Sequence, residues 1–140
     1  MTRIRFLPLA IRLAVAATVA VSGYVHAKLY VDGYRFISPV GPMFLLQAAV
    51  SFALATLLVF AAPLLVRVAA AGTALGALGG FVLSRTVGIG GFTERGFQPH
   101  PEALLSVLSE VATLGLLAAW WLYLLRHRAA PSMAARTVSV

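Results

Sequence analysis

The chain has 140 residues, of which 61% are hydrophobic and 11% charged, with a formal net charge of +7 and no cysteine. A soluble domain of this length could not keep so much apolar surface from water, because small domains have much surface for their volume. The missing thiols exclude disulfides, thiolate metal sites and cysteine redox chemistry.

The positive charge is spread out. Basic residues stand singly or in pairs beside apolar runs, at Arg3, Arg5, Arg67, Arg126 and Arg128. That placement argues against nucleic-acid binding, which needs a clustered basic surface, and fits a chain that uses charge to fix its orientation in a bilayer. One Lys against ten Arg, no Asn and abundant Ala, Gly and Val are what a GC-rich bacterial coding sequence gives. The expected location is the bacterial plasma membrane.

A helical crossing needs about 20 apolar residues, and four runs qualify. The first spans 7–25, with Arg12 near enough to its end to snorkel toward water. Arg3 and Arg5, an apolar run and then Val25-His26-Ala27 also fit a cleavable signal peptide, which would leave three crossings. The length of the run and the position of Arg12 favour a retained helix. The second run, 43–62, opens after Gly41-Pro42, and Pro63 with Arg67 marks a tight turn. The third spans 68–87. The fourth, 103–125, opens after His100-Pro101-Glu102 and closes at Arg126-His127-Arg128, with proline and an acid where the free amides of a helix start favour them.

The predicted fold is all-α, a single four-helix transmembrane bundle running up-down-up-down. With both termini inside, Arg3, Arg5, Arg12, Arg67, Arg126, Arg128 and Arg136 lie inside, against Lys28, Arg35, Arg85 and Arg95 outside. This excess favours the N-in, C-in orientation. The third run carries Gly72, Gly76, Gly80 and Ser84, each four residues apart, which predicts a small-residue groove for a neighbouring helix inside the bundle. The glycine-rich connection 86–102 lacks the preceding strand of a phosphate-binding loop, and reads as a flexible cap on the outer surface.

Glu110 lies eight residues after Glu102, about 12 Å deeper along the last helix. A carboxylate at that depth is costly unless protonated, paired or hydrated. Ser106 and Thr113 share its face, and Gln47, Ser51, Ser22, His26, Ser84 and Arg85 lie at comparable depth on the other helices. These residues predict a polar cluster opening outward above an apolar inner half. One reading is a small binding cavity, with Glu110 as proton acceptor or cation partner and Arg85 and His26 at its mouth. The other is structural, with Glu110 paired to Arg85 or Gln47 to fix helix register.

No hydrolytic motif and no metal-ligand spacing occur, so neither an enzyme nor a bound metal is expected. Haem between His26 and His100 is geometrically awkward, because His100 sits between two prolines outside the fourth helix. No cofactor is expected.

The stretches Gly23-Tyr24-Val25-His26-Ala27-Lys28-Leu29-Tyr30, Gly33-Tyr34, and Gly41-Pro42-Met43-Phe44-Leu45-Leu46-Gln47 together resemble a family of small four-helix membrane proteins of actinobacteria. The segment Thr86-Val87-Gly88-Ile89-Gly90-Gly91-Phe92-Thr93-Glu94 is similar to that family too. The resemblance implies the four-helix layout and carries no activity with it. A more distant likeness to DoxX-type proteins rests on size and layout.

The sequence therefore predicts a non-enzymatic accessory or small-ligand-binding protein. Its expected partners are the lipid bilayer and either a larger membrane complex or further copies of itself. The competing readings are a proton-coupled transporter or channel using Glu110, and a quinone- or haem-binding redox component using His26, Tyr30 and Glu110.

Overall fold

The computed structural model describes residues 3–129, with side chains from Pro8 to His127. Arg136, and the side chains of Arg3, Arg5 and Arg128 used in the orientation argument, lie outside the described residues. Four helices account for most of the described chain: α1 (Arg3–Asp32), α2 (Val40–Phe60), α3 (Leu64–Arg85) and α4 (Glu102–Ala129). Each is long and apolar enough to cross a membrane. This is a small integral membrane protein.

The helices outrun the apolar stretches that predict them. The first continues past Val25 to Asp32, because Lys28 and Asp32 pair one turn apart and Gly33, at φ 143°, is the first residue to break the helix. The third begins at Leu64, directly after Pro63, so Arg67 sits in its first turn and does not mark the connection. A charge is tolerated there because the Arg67 guanidinium lies over the ring of Trp120 on α4, 5.1 Å from its centroid. Arg12 donates to the carbonyl of Val59 at 3.2 Å, which joins the early part of α1 to the end of α2.

At that end the bundle is closed by apolar packing of Val15, Val19, Leu54, Leu58 and Ala70. At mid-height the interior turns polar: Ser22, Ser51, Ser109, Glu110 and Thr113 are all buried. Large apolar side chains such as Leu46, Phe60, Leu65 and Val68 face outward instead. That distribution suits hydrocarbon as the surrounding solvent, since lipid gives no reason to hide leucine and every reason to hide serine.

The close helix contact lies between α1 and α2. A Cβ on Gly23 would stand 3.0 Å from the Ser51 Cβ and 3.4 Å from the Ala48 carbonyl. The expected internal groove on α3 is not there: Cβ atoms on Gly72, Gly76 and Gly80 would meet nothing within 4 Å. Of that series only Ser84 is buried, and the other buried residues of α3, Ala70 and Ala74, lie off the glycines. The glycine stripe faces open space, part of which is a cavity.

At the opposite end, residues 33–39 and 86–101 form a cap. The second connection is pinned in place. Ile89 and Phe92 pair through their backbones, the Glu94 amide donates to the Ser84 carbonyl at 2.9 Å, and Gly90, at φ 58°, fits against Pro39 where a Cβ would collide.

Candidate functional site

Beneath the cap lies a cavity of about 260 Å³ between all four helices. Each helix contributes for a local reason. On α1, His26 follows Ser22 by one turn, and its Nδ1 lies 2.9 Å from the Ser22 carbonyl. A carbonyl only accepts, so Nδ1 carries the proton. On α2, Phe44 and Gln47 sit three residues apart and face the same way, and Gln47 Nε2 donates to the Thr73 carbonyl of α3 at 3.3 Å. On α3, Gly76, Ala77 and Gly80 make a wall without side-chain bulk, followed by Phe81 and Ser84. On α4, Ala103 and Ser106 close the remaining side.

The ceiling is aromatic. Tyr34 stacks on Phe44 with centroids 5.0 Å apart, and Phe92 meets Tyr34 edge-on at 5.8 Å. The phenol of Tyr34 donates to Glu94, and partial burial together with that hydrogen bond holds the phenol above the ordinary tyrosine range. Met43, Leu46 and Gly76, which line the cavity, also lie on the outward surface of α2 and α3. The cavity therefore opens sideways between these two helices, toward lipid.

Arg85 belongs to the cap. Its Nη1 stands 2.9 Å from Glu94 Oε2 and also donates to the Ser84 hydroxyl, while Nε and Nη2 donate to the carbonyls of Gly96 and Gln98. Both members of the pair are largely shielded from solvent. Arg85 thus closes the mouth by holding the 86–101 connection over it.

Glu110 occupies a separate place. It is 1% exposed, and its Oε1 accepts from Ser22 at 3.2 Å and from Ser106 at 2.7 Å. Neither Arg85 nor Gln47 pairs with it, in contrast to the register-fixing reading: Arg85 reaches upward to Glu94, and Gln47 Nε2 donates to the Thr73 carbonyl. Oε2 of Glu110 and Oγ of Ser51 are both buried without a protein partner. Both residues border a second cavity of about 10 Å³, together with Ser22, Thr73 and Thr113.

The residues singled out from sequence thus divide into two groups. His26, Gln47, Ser106, Gly76, Gly80, Ser84 and Arg85 line the large cavity, Glu110 and Ser51 the small one. Ser106 joins them, lining the first and donating into the second. Gly72 borders neither. His100 is exposed in the cap and does not line the large cavity, so the two imidazoles do not face each other across it. Sequence reasoning missed the aromatic ceiling of Tyr34, Phe44 and Phe92, and the role of Glu94. The one available signal was an acid, Glu94, nine residues after Arg85 at the same end of the bundle. Among the described residues no group of three or more His, Cys, Asp or Glu is placed to hold a metal.

Comparison with family models, with curated proteins and with solved structures gave no match.

Proposed function

We propose that this protein is a non-enzymatic, ligand-binding component of the bacterial plasma membrane. In this reading the bundle runs up-down-up-down with both termini inside, and the capped end faces outward. It works beside a larger membrane complex or as several copies. The observation that carries the reading is the large cavity, apolar over most of its wall and opening toward lipid between α2 and α3. Such concave apolar space with a few fixed polar groups is the usual form of a small-molecule site. The flanking glycines keep it open, since a Cβ on Gly76 or Gly80 would point into space with nothing within 4 Å.

Extraction in mild detergent followed by native mass spectrometry tests this. A small molecule at fixed stoichiometry, or a co-purifying membrane protein, is the expected result, and Gly80→Phe should displace the small molecule. A monodisperse bundle carrying neither ligand nor partner would overturn the reading.

A second reading is proton-coupled transport through Glu110, favoured by the unpartnered Oε2 in mid-bundle. Glu110→Gln should then abolish pH-dependent flux in proteoliposomes, and unchanged flux dismisses it. The redox reading rests on the free Nε2 of His26, and its haem form fails if the purified protein shows no Soret band.

A further inference from the structure

The hydrogen-bonding capacity left over in the large cavity is specific about what can fill it. Its donors are mostly engaged within the protein. Arg85 has five N–H groups, and four are used, on Gly96, Gln98, Ser84 and Glu94. The Ser106 proton goes to Glu110, the Ser84 proton to the Phe81 carbonyl and the Tyr34 proton to Glu94. The strongest vacant group is an acceptor. His26 Nδ1 donates to Ser22, so in the neutral ring Nε2 offers a lone pair. No carboxylate pairs with the imidazole among the described residues, so a charged ring would have no counterion in a buried site. Gln47, which also lines the cavity, keeps a second amide proton and its carbonyl oxygen, neither with a partner among the described residues.

We infer that the occupant is a neutral, lipid-soluble molecule bearing a hydroxyl on a flat ring, and that this hydroxyl donates to Nε2 of His26. The inference rests on the ligand-binding reading. A hydroxyl donates and accepts at once, so it satisfies the imidazole and takes the spare Gln47 proton. A ketone, ester or ether of the same shape offers Nε2 no donor. An anionic head would meet an Arg85 whose charge Glu94 already neutralises. The ring fits the walls: Phe44 is already edge-on to His26 at 5.1 Å and stacked on Tyr34, which Phe92 meets edge-on, so a further ring extends an existing aromatic cluster. Entry is lateral, past Gly76 and Gly80, from the lipid in which such a molecule dissolves.

The test uses a matched pair of probes, 2-naphthol and 2-methoxynaphthalene, titrated calorimetrically at neutral pH into the full chain in phosphatidylcholine nanodiscs. Empty nanodiscs supply the partitioning background. Saturable binding of 2-naphthol about 3- to 10-fold tighter than its methyl ether is expected. His26→Leu should erase that preference while retaining binding, and Gly80→Phe should remove binding of both. Should His26→Leu fail to fold, the ¹⁵N resonance of Nε2 in wild-type protein serves instead, shifting with 2-naphthol and not with the ether. Equal binding of the two probes, or an unmoved Nε2 resonance, sinks the hydroxyl assignment and leaves the cavity reading standing. Absence of saturable binding by either probe overturns both.

Discussion

The hydroxyl of Ser22 donates to Oε1 of Glu110 at 3.2 Å, linking α1 to α4 across 88 residues of chain in the middle of the bundle. Ser106 donates to the same oxygen. Both bonds need an acceptor at Oε1 and neither needs a charge. Glu110→Gln keeps that acceptor and should alter stability by no more than about 1 kcal/mol. Glu110→Ala strands two buried hydroxyls and leaves a void, which should cost about 2–4 kcal/mol. Thermal unfolding in detergent compares the two, and equal losses would refute the assignment.

Ser51 Oγ and Glu110 Oε2 face a space of about 10 Å³ and have no protein partner. A polar cavity of about 10–15 Å³ suffices for one water, and a single water there would satisfy both atoms. The two side chains should therefore be coupled without touching. A double-mutant cycle of Ser51→Ala and Glu110→Gln is expected to give about 0.5–2 kcal/mol of interaction. Strict additivity would show that nothing bridges them.

The glycines separate packing from spacing. Gly23 packs directly against Ala48 and Ser51 of α2, so Gly23→Leu should prevent folding and Gly23→Ala should cost about 1–2 kcal/mol through overpacking. Gly76→Ala touches nothing and should be neutral or stabilise by about 0.5–1 kcal/mol through helix propensity. Unfolding midpoints of the two alanine variants decide between this and a packing role for the α3 stripe.

The contrast between Gly23 and Gly76 also marks what the sequence could reveal. Hydropathy located all four helices, because the length of an apolar run is set by the bilayer and read directly. The burial of Glu110 beside Ser106 and Ser22 was legible for a similar reason: polar side chains in a membrane helix face inward. Which glycine stripe meets a neighbour was not legible, because the pattern gives one helix's face and not the rotation of the next. Gly72, Gly76 and Gly80 form the regular series, yet the isolated Gly23 makes the contact. The Arg85–Glu94 pair was hidden too. A charge at a helix end has many candidate partners, and only the path of the 86–101 connection selects one. The same path brings Tyr34 and Phe92 over Phe44, which no spacing in the chain announces.

Arg85 is expected to govern access to the large cavity. Arg85→Ala removes its hold on the 86–101 connection and leaves Glu94 with Tyr34 as its remaining side-chain donor. Breaking one side of a largely shielded ion pair should destabilise the cap by about 3 kcal/mol. The effect should be local: hydrogen exchange should accelerate at Ile89, Phe92 and Glu94, whose amides are bonded within the cap or to α3. The middle of α1 and α4 should stay protected. Uniform acceleration throughout the chain would show that Arg85 supports the bundle rather than the lid.

Tyr34 gives the cap a pH dependence whose sign follows from its surroundings. Partial burial disfavours the phenolate, and so does the hydrogen bond donated to Glu94, so the folded phenol titrates above the value near 10 of an unfolded chain. A group whose folded pKa is raised stabilises the fold fully below the unfolded value. That contribution fades as pH climbs from about 10 through the higher folded value. The cap should therefore hold unchanged across the neutral range and loosen only in strong alkali. Tyr34→Phe should cost about 1 kcal/mol at neutral pH and abolish this alkaline loosening. The difference in ultraviolet phenolate absorbance between wild type and Tyr34→Phe isolates the single titration. A step at the ordinary tyrosine pH would mean that the phenol is hydrated and does not hold Glu94.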